Sequence, residues 1–223
     1  MSSNFRRAFS SSVGTKLLIG ATGLALFVYL ILHLAGNAII FFGQDAFNEY
    51  SHMLISNPLI VPVEIGLLLI FVIHIYKTAT MWVDNQAARP VRYQKKKLAG
   101  HTSRKSLASS TMVVSGAVIL LFVLIHVKQF KWGSYYATAA EASVRDLYRT
   151  EVEVFQRPFW VVFYVVCTLI VGLHLRHGIS SGFQSLGLDH PRYTRNLVRW
   201  GIVGAIVIAG GLATIPVWVY LTH

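Results

Sequence analysis

From Leu17 to Phe42, and again from Trp200 to Tyr220, the chain carries no Asp, Glu, Lys or Arg. An α-helix needs ~20 apolar residues to cross the hydrocarbon of a bilayer, and both runs reach that length. Three more apolar runs lie between them, and hydrophobic residues make up 54% of the 223 positions against 13% charged. So few charges cannot cover a water-soluble surface of this size. Strands of a membrane barrel would alternate polar and apolar residues over ~10 positions, whereas these runs are apolar on every side. The sequence therefore specifies an all-α integral membrane protein. It reads as one transmembrane domain over 1–223, with spans expected near 15–42, 59–82, 107–130, 158–183 and 197–220 and no internal repeat.

The net charge of +11 would suit a nucleic-acid partner, but its placement argues for membrane topology instead. Arg89, Arg92, Lys95, Lys96, Lys97, Arg104 and Lys105 crowd the connection after the second span, opposed only by Asp84, and Arg192, Arg195 and Arg199 follow the fourth. Both connections are cytoplasmic by the positive-inside rule. The connection 131–157 balances its arginines with Glu141, Asp146, Glu151 and Glu153 and belongs outside. The N-terminus is then cytoplasmic and the C-terminus outside. The basic opening Ser2 to Lys16 suits a segment lying on an anionic membrane face or against a partner, and equally a solvated tail, while the apolar run after it is too long for the core of a cleaved signal. Phe47, Tyr50, Met53 and Leu54 recur at helical spacing and predict a short interfacial helix within 43–57. The lone Cys167 reads as a small buried hydrophobe, and all five tryptophans fall near span ends.

Four histidines, His33, His74, His126 and His174, stand one in each of the first four spans. An ionisable ring in hydrocarbon is costly and asks for a partner. On spans one and three, His33 and His126 lie 18 and 19 residues from the inner ends; on the returning spans, His74 and His174 lie 8 and 9 residues from theirs. At ~1.5 Å per residue, two tiers result, roughly 15 Å apart along the membrane normal. Neutral imidazole is a strong iron ligand, and ligation from both faces of a porphyrin suits electron transfer. The matched depths thus fit two b-type haems stacked in a four-helix bundle: an outer one on His33 and His126, an inner one on His74 and His174. A hydrogen bond across the bundle explains any one histidine alone, but not the matched set. Each ligand's second ring nitrogen needs an acceptor, a backbone carbonyl or a hydroxyl, to fix its tautomer.

Other residues bear on this site. His177 lies one turn beyond His174 and competes with it as the inner ligand; depth favours His174. His177 and Arg176 are then candidates to meet a haem propionate or a quinone. Glu64 is the only acid inside a span and lies ten residues before His74, near the outer tier. A buried carboxylate there would have its ionisation disfavoured, which makes Glu64 a candidate proton relay to a quinone. Gly23 and Gly116, each ten residues before an outer histidine, fall at the inner depth, where a porphyrin could approach the backbone or two helices could pack.

The motifs Ser11-Ser-Val-Gly-Thr-Lys16, Thr22-Gly23 and His33-Leu-Ala-Gly-Asn37 resemble the first span of a known family, the di-haem cytochrome b membrane-anchor subunits of succinate dehydrogenase and fumarate reductase. His174-Leu-Arg-His-Gly178 through Gly182-Phe-Gln-Ser-Leu-Gly187 resembles that family's fourth ligand helix. The resemblance covers nearly the whole chain. It implies a subunit of succinate:quinone oxidoreductase in a bacterial cytoplasmic membrane, with a flavoprotein carrying FAD and an iron–sulfur subunit docked on the cytoplasmic side. Electrons from succinate would pass from the iron–sulfur subunit to the inner haem, the outer haem and then a quinone, commonly menaquinone. Glu64 has no obvious match in the family's pattern. Two other readings stand beside this one: the cytochrome b subunit of a hydrogenase or formate dehydrogenase complex, and a proton-coupled transporter without haem.

Overall fold

The computed structural model describes residues 11–88, 110–139, 141–188 and 190–223. The opening basic residues before Ser11, most of the cationic connection after the second span and the expected start of the third span at 107–109 lie outside the described residues.

Seven α-helices form the described chain: α1 Ser12–Asn37, α2 Gln44–Ser56, α3 Ile60–Ala87, α4 Met112–Phe130, α5 Leu147–Phe155, α6 Pro158–Ser185 and α7 Thr194–Thr222. The described residues contain no strand, only an isolated bridge between Ala137 and Arg145. Five of the helices, α1 (extended by a 3-10 turn at Ala38–Phe42), α3, α4, α6 and α7, are long and apolar enough to cross a membrane. The protein is an all-α, multi-pass membrane protein. Expected spans and observed helices agree to within a few residues, except that α3 runs on to Ala87, past its apolar stretch.

Local chemistry sets the boundaries. The Ser11 hydroxyl accepts from the Gly14 N–H at 3.0 Å and caps α1, as an N-cap serine does. Pro62 and Pro158 sit in the first turns of α3 and α6, where no backbone donor is required. Gly43 has φ of +100°, a conformation other residues rarely adopt, and it turns the chain from the 3-10 segment into α2.

Helix α1 packs against α3 on one side and α6 on the other; α4 packs against α6 and touches α3 only lightly. The four histidine-bearing helices thus form a ring in which α1 faces α4 and α3 faces α6 across the middle. Helix α7 lies outside the ring, chiefly against α6, with Gly172 of α6 so near α7 that an added Cβ would meet the Ala209 Cβ at 2.7 Å. Small residues let these helices approach in a solvent that offers no hydrophobic drive. Span five is therefore packing, as its composition suggests.

The buried apolar core of the described residues lies in two places. One cluster, with Val171, Leu175, Ile179, Ala205 and Ile208, joins α6 to α7. The other, with Ile40, Phe47, Phe155, Tyr164 and Val219, sits at the end of the bundle where α1 finishes, beneath a cap made of α2 and α5. We call this the capped end and the opposite end, where α1 begins, the open end. No residue of α3 is fully buried.

Candidate functional site

The four histidines separate into two pairs on facing helices. Near the capped end, His33 of α1 and His126 of α4 face each other edge to face, ring centroids 5.6 Å apart. Toward the open end, His74 of α3 and His174 of α6 lie within electrostatic reach of one another. This pairing is the one that depth along the chain predicts.

Every one of these imidazoles turns its Nδ1 toward a hydroxyl. Thr22 Oγ1 lies 3.1 Å from His74 Nδ1 and donates its own proton to the Leu18 carbonyl at 2.6 Å. Its oxygen therefore accepts, and His74 carries the proton on Nδ1. Ser115 repeats the device: it donates to the Met112 carbonyl at 3.1 Å and accepts from His174 Nδ1 at 3.0 Å. In the other pair the partners are tyrosines at longer range. Tyr29 lies 3.4 Å from His33 Nδ1. Tyr164 lies 3.5 Å from His126 Nδ1 and donates to Gln129 Oε1 at 2.7 Å. Where the hydroxyl proton goes to a carbonyl of its own helix, as at Thr22 and Ser115, the ring donates from Nδ1 and Nε2 is left unprotonated, the nitrogen able to bind a metal.

The two glycines behave differently from the expectation that they leave room for a porphyrin. A Cβ on Gly23 would meet His74 Cε1 at 3.0 Å, and one on Gly116 would lie 3.6 Å from His174 Cε1. The space is taken up by imidazole. Each glycine follows the hydroxyl residue that holds the same ring, so Thr22-Gly23 and Ser115-Gly116 are matched sockets for the facing histidine.

Glu64 lies near the capped end, where its position along the chain puts it, but it is not buried. Its carboxylate is 44% exposed and ion-paired with Lys131 at the end of α4. It also lies within electrostatic reach of Tyr29, the neighbour of His33. Glu64 thus has a cationic partner and is not enclosed by the protein, and it stands near the His33 and His126 pair. His177 and Arg176 turn away from the ring. They line a groove between α6 and α7, and His174 alone of the two α6 histidines meets α4 through Ser115.

A buried acid that the sequence did not single out is Glu151 on α5. It is 5% exposed, its Oε2 has no hydrogen-bond partner among the described residues, and burial pushes its pKa up to about 8. It lies within electrostatic reach of Tyr164, hence near the His126 side of the pair.

No group of three or more His, Cys, Asp or Glu side chains able to hold a metal ion occurs among the described residues. The histidines form pairs. A pair of opposed imidazoles is an incomplete set for a bare ion but a complete axial set for iron already held by four porphyrin nitrogens. The pairing of imidazoles on facing helices, each with Nδ1 near a hydroxyl, fits such a group. No known protein family, curated protein or solved structure matches the chain.

Proposed function

We propose that the chain is the membrane-anchoring di-haem cytochrome b subunit of a succinate:quinone oxidoreductase, succinate dehydrogenase or fumarate reductase. The observation that carries the haem reading is the pairing of four imidazoles on facing helices, each with Nδ1 against a hydroxyl. His33 with His126, and His74 with His174, would hold one haem b at each tier. Bis-histidine haem iron supplies one-electron transfer without an open coordination position. The choice of this complex over a hydrogenase or formate dehydrogenase cytochrome b rests on the sequence motifs.

In this reading the chain's own residues orient and insulate. Thr22 and Ser115 fix the ring planes of one tier; Tyr29 and Tyr164 stand beside those of the other. The open end, with the basic connections, faces the cytoplasm and receives the iron–sulfur subunit, with the flavoprotein beyond it. The capped end faces outward and is the place for menaquinone. There Glu64, held by Lys131 and half exposed, is positioned to exchange protons between water and a quinone. The dicarboxylate chemistry belongs to the partner subunits.

Purification in mild detergent, with haem quantitation and identification of companion chains, tests the proposal. Two haems per chain together with flavin and iron–sulfur subunits are expected. Colourless protein would overturn it, and two haems with a hydrogenase or formate dehydrogenase partner would replace it. Glu64→Gln should slow quinone turnover while leaving haem content unchanged; full turnover would remove Glu64 from the scheme.

A further inference from the structure

Between α6 and α7, toward the open end, lies a groove of about 260 Å³. Arg176, His177 and Ser181 contribute to its polar side, and Leu197, Val198 and Ile202 to its apolar side. Every described residue that lines it comes from these two helices and the turn joining them, and none from α1, α3 or α4. The groove therefore opens on the flank of the bundle, where the neighbour is lipid, and not into the ring that holds the paired histidines.

We propose that this groove binds the headgroup of one anionic phospholipid. Its place suits that ligand: it runs along the ends of two spans, where α6 ends and α7 begins, and a polar α6 side faces an apolar α7 side. Its charge suits it too. Among the described residues that line it, Arg176 is cationic and none is acidic. An arginine guanidinium matches a phosphate with two parallel hydrogen bonds, and basic pockets between transmembrane helices at an interface are suited to acidic headgroups. The volume falls below the ~300–1,000 Å³ of pockets that enclose a whole small molecule. It is of a size for a phosphate and glycerol, with the acyl chains continuing in the bilayer. A quinone's carbonyl oxygens also accept hydrogen bonds from Arg and His, but a quinone carries no charge for the guanidinium to pair with. The inference goes beyond the proposed electron transfer and holds whether or not the chain carries haem.

The full-length protein, purified with whatever subunits accompany it, is offered phosphatidylglycerol or phosphatidylcholine with identical acyl chains, and bound lipid is counted by native mass spectrometry. Phosphatidylglycerol should be retained over phosphatidylcholine by about fivefold or more, the factor expected for one arginine at a charged membrane surface. Arg176→Gln should abolish the preference, and Val198→Trp, which fills the apolar side, should lower retention of both lipids. Arg149→Gln, at the capped end, should leave the preference intact. Equal retention of the two lipids, or an undiminished preference in Arg176→Gln, would overturn the proposal. Displacement of the lipid by inorganic phosphate alone would overturn its lipid part, and displacement by a menaquinone analogue would reassign the groove to quinone.

Discussion

The hydroxyls of Thr22 and Ser115 do two things at once: each satisfies a ring nitrogen that hydrocarbon cannot, and each selects the tautomer that leaves Nε2 bare. Thr22→Val keeps the shape of the side chain and removes the acceptor, so His74 loses its fixed proton while the helices stay packed. The expected result is a haem affinity lowered by about 10–100-fold at that tier, read as selective loss of one of two b-type components in a redox titration. Ser115→Ala should do the same through His174. Glu151 makes a prediction of a different kind. Its pKa in the fold is about 8, above the ordinary carboxylate range, because burial opposes its charge. Below that range both folded and unfolded chains hold the proton. Between it and about 8 only the folded chain does, so stability falls as pH rises through this window and levels off above it. The slope can reach about 1.4 kcal/mol per pH unit for one proton, and Glu151→Gln should flatten melting temperature against pH over 5–8. The histidines were legible because imidazole is rare in apolar runs. Their hydroxyl partners were not, since a Ser or Thr in a membrane helix commonly bonds back to its own carbonyls, as Thr22 and Ser115 also do. A signal did exist: each stands before a glycine and 11 residues ahead of its own helix's histidine.

At the scale of elements, the five long helices follow directly from the length of uncharged sequence, and α2 follows from its spaced aromatic residues. Helix α5 did not announce itself, because nine residues with Arg149, Glu151 and Glu153 among them look like a solvated loop. Its start is written in Asp146, whose Oδ1 accepts from the Arg149 N–H at 3.0 Å as an N-cap does. The same buried carboxylate accepts from Gln44 at 2.7 Å and Asn48 at 2.8 Å of α2. One side chain therefore caps α5 and ties it to α2 across about a hundred residues of chain. The motif His33-Leu-Ala-Gly36-Asn37 is explained at this level too. Asn37 donates to the His33 carbonyl at 2.8 Å, and Gly36 lies so close to Tyr50 of α2 that an added Cβ would stand 2.7 Å from its hydroxyl. The histidine helix is thus closed by its own Asn and covered by the cap. Asp146→Ala should cost about 2–4 kcal/mol from a lost cap and the orphaned buried amide of Asn48, with little added by exposed Gln44. The loss should appear as faster hydrogen exchange in α2 and α5 with α6 and α7 unchanged. Uniform exchange across all helices would mean that the cap is not a separate unit.

For the whole molecule, the question is whether the bundle holds two independent sites or one extended one, and combined variants decide it. The facing helices assign His33 and His126 to one pair and His74 and His174 to the other, with α7 outside both. Two groups that act as a unit give non-additive losses, whereas groups at separate sites add. In the proposed cytochrome, His33→Ala and His126→Ala should each remove one haem of two, and the double variant should again remove one, because either loss already empties that tier. His33→Ala combined with His74→Ala should remove both. His177→Ala should remove neither, since its ring faces the α6–α7 groove and only His174 is held against α4. A haem count by pyridine haemochrome and the bands of the reduced-minus-oxidised spectrum read each outcome directly. If His33→Ala with His126→Ala removed two haems while His33→Ala with His74→Ala removed one, ligation would run along neighbouring helices instead of across the ring. The diagonal arrangement would then be wrong as a description of the cofactor sites, even with every helix in its place.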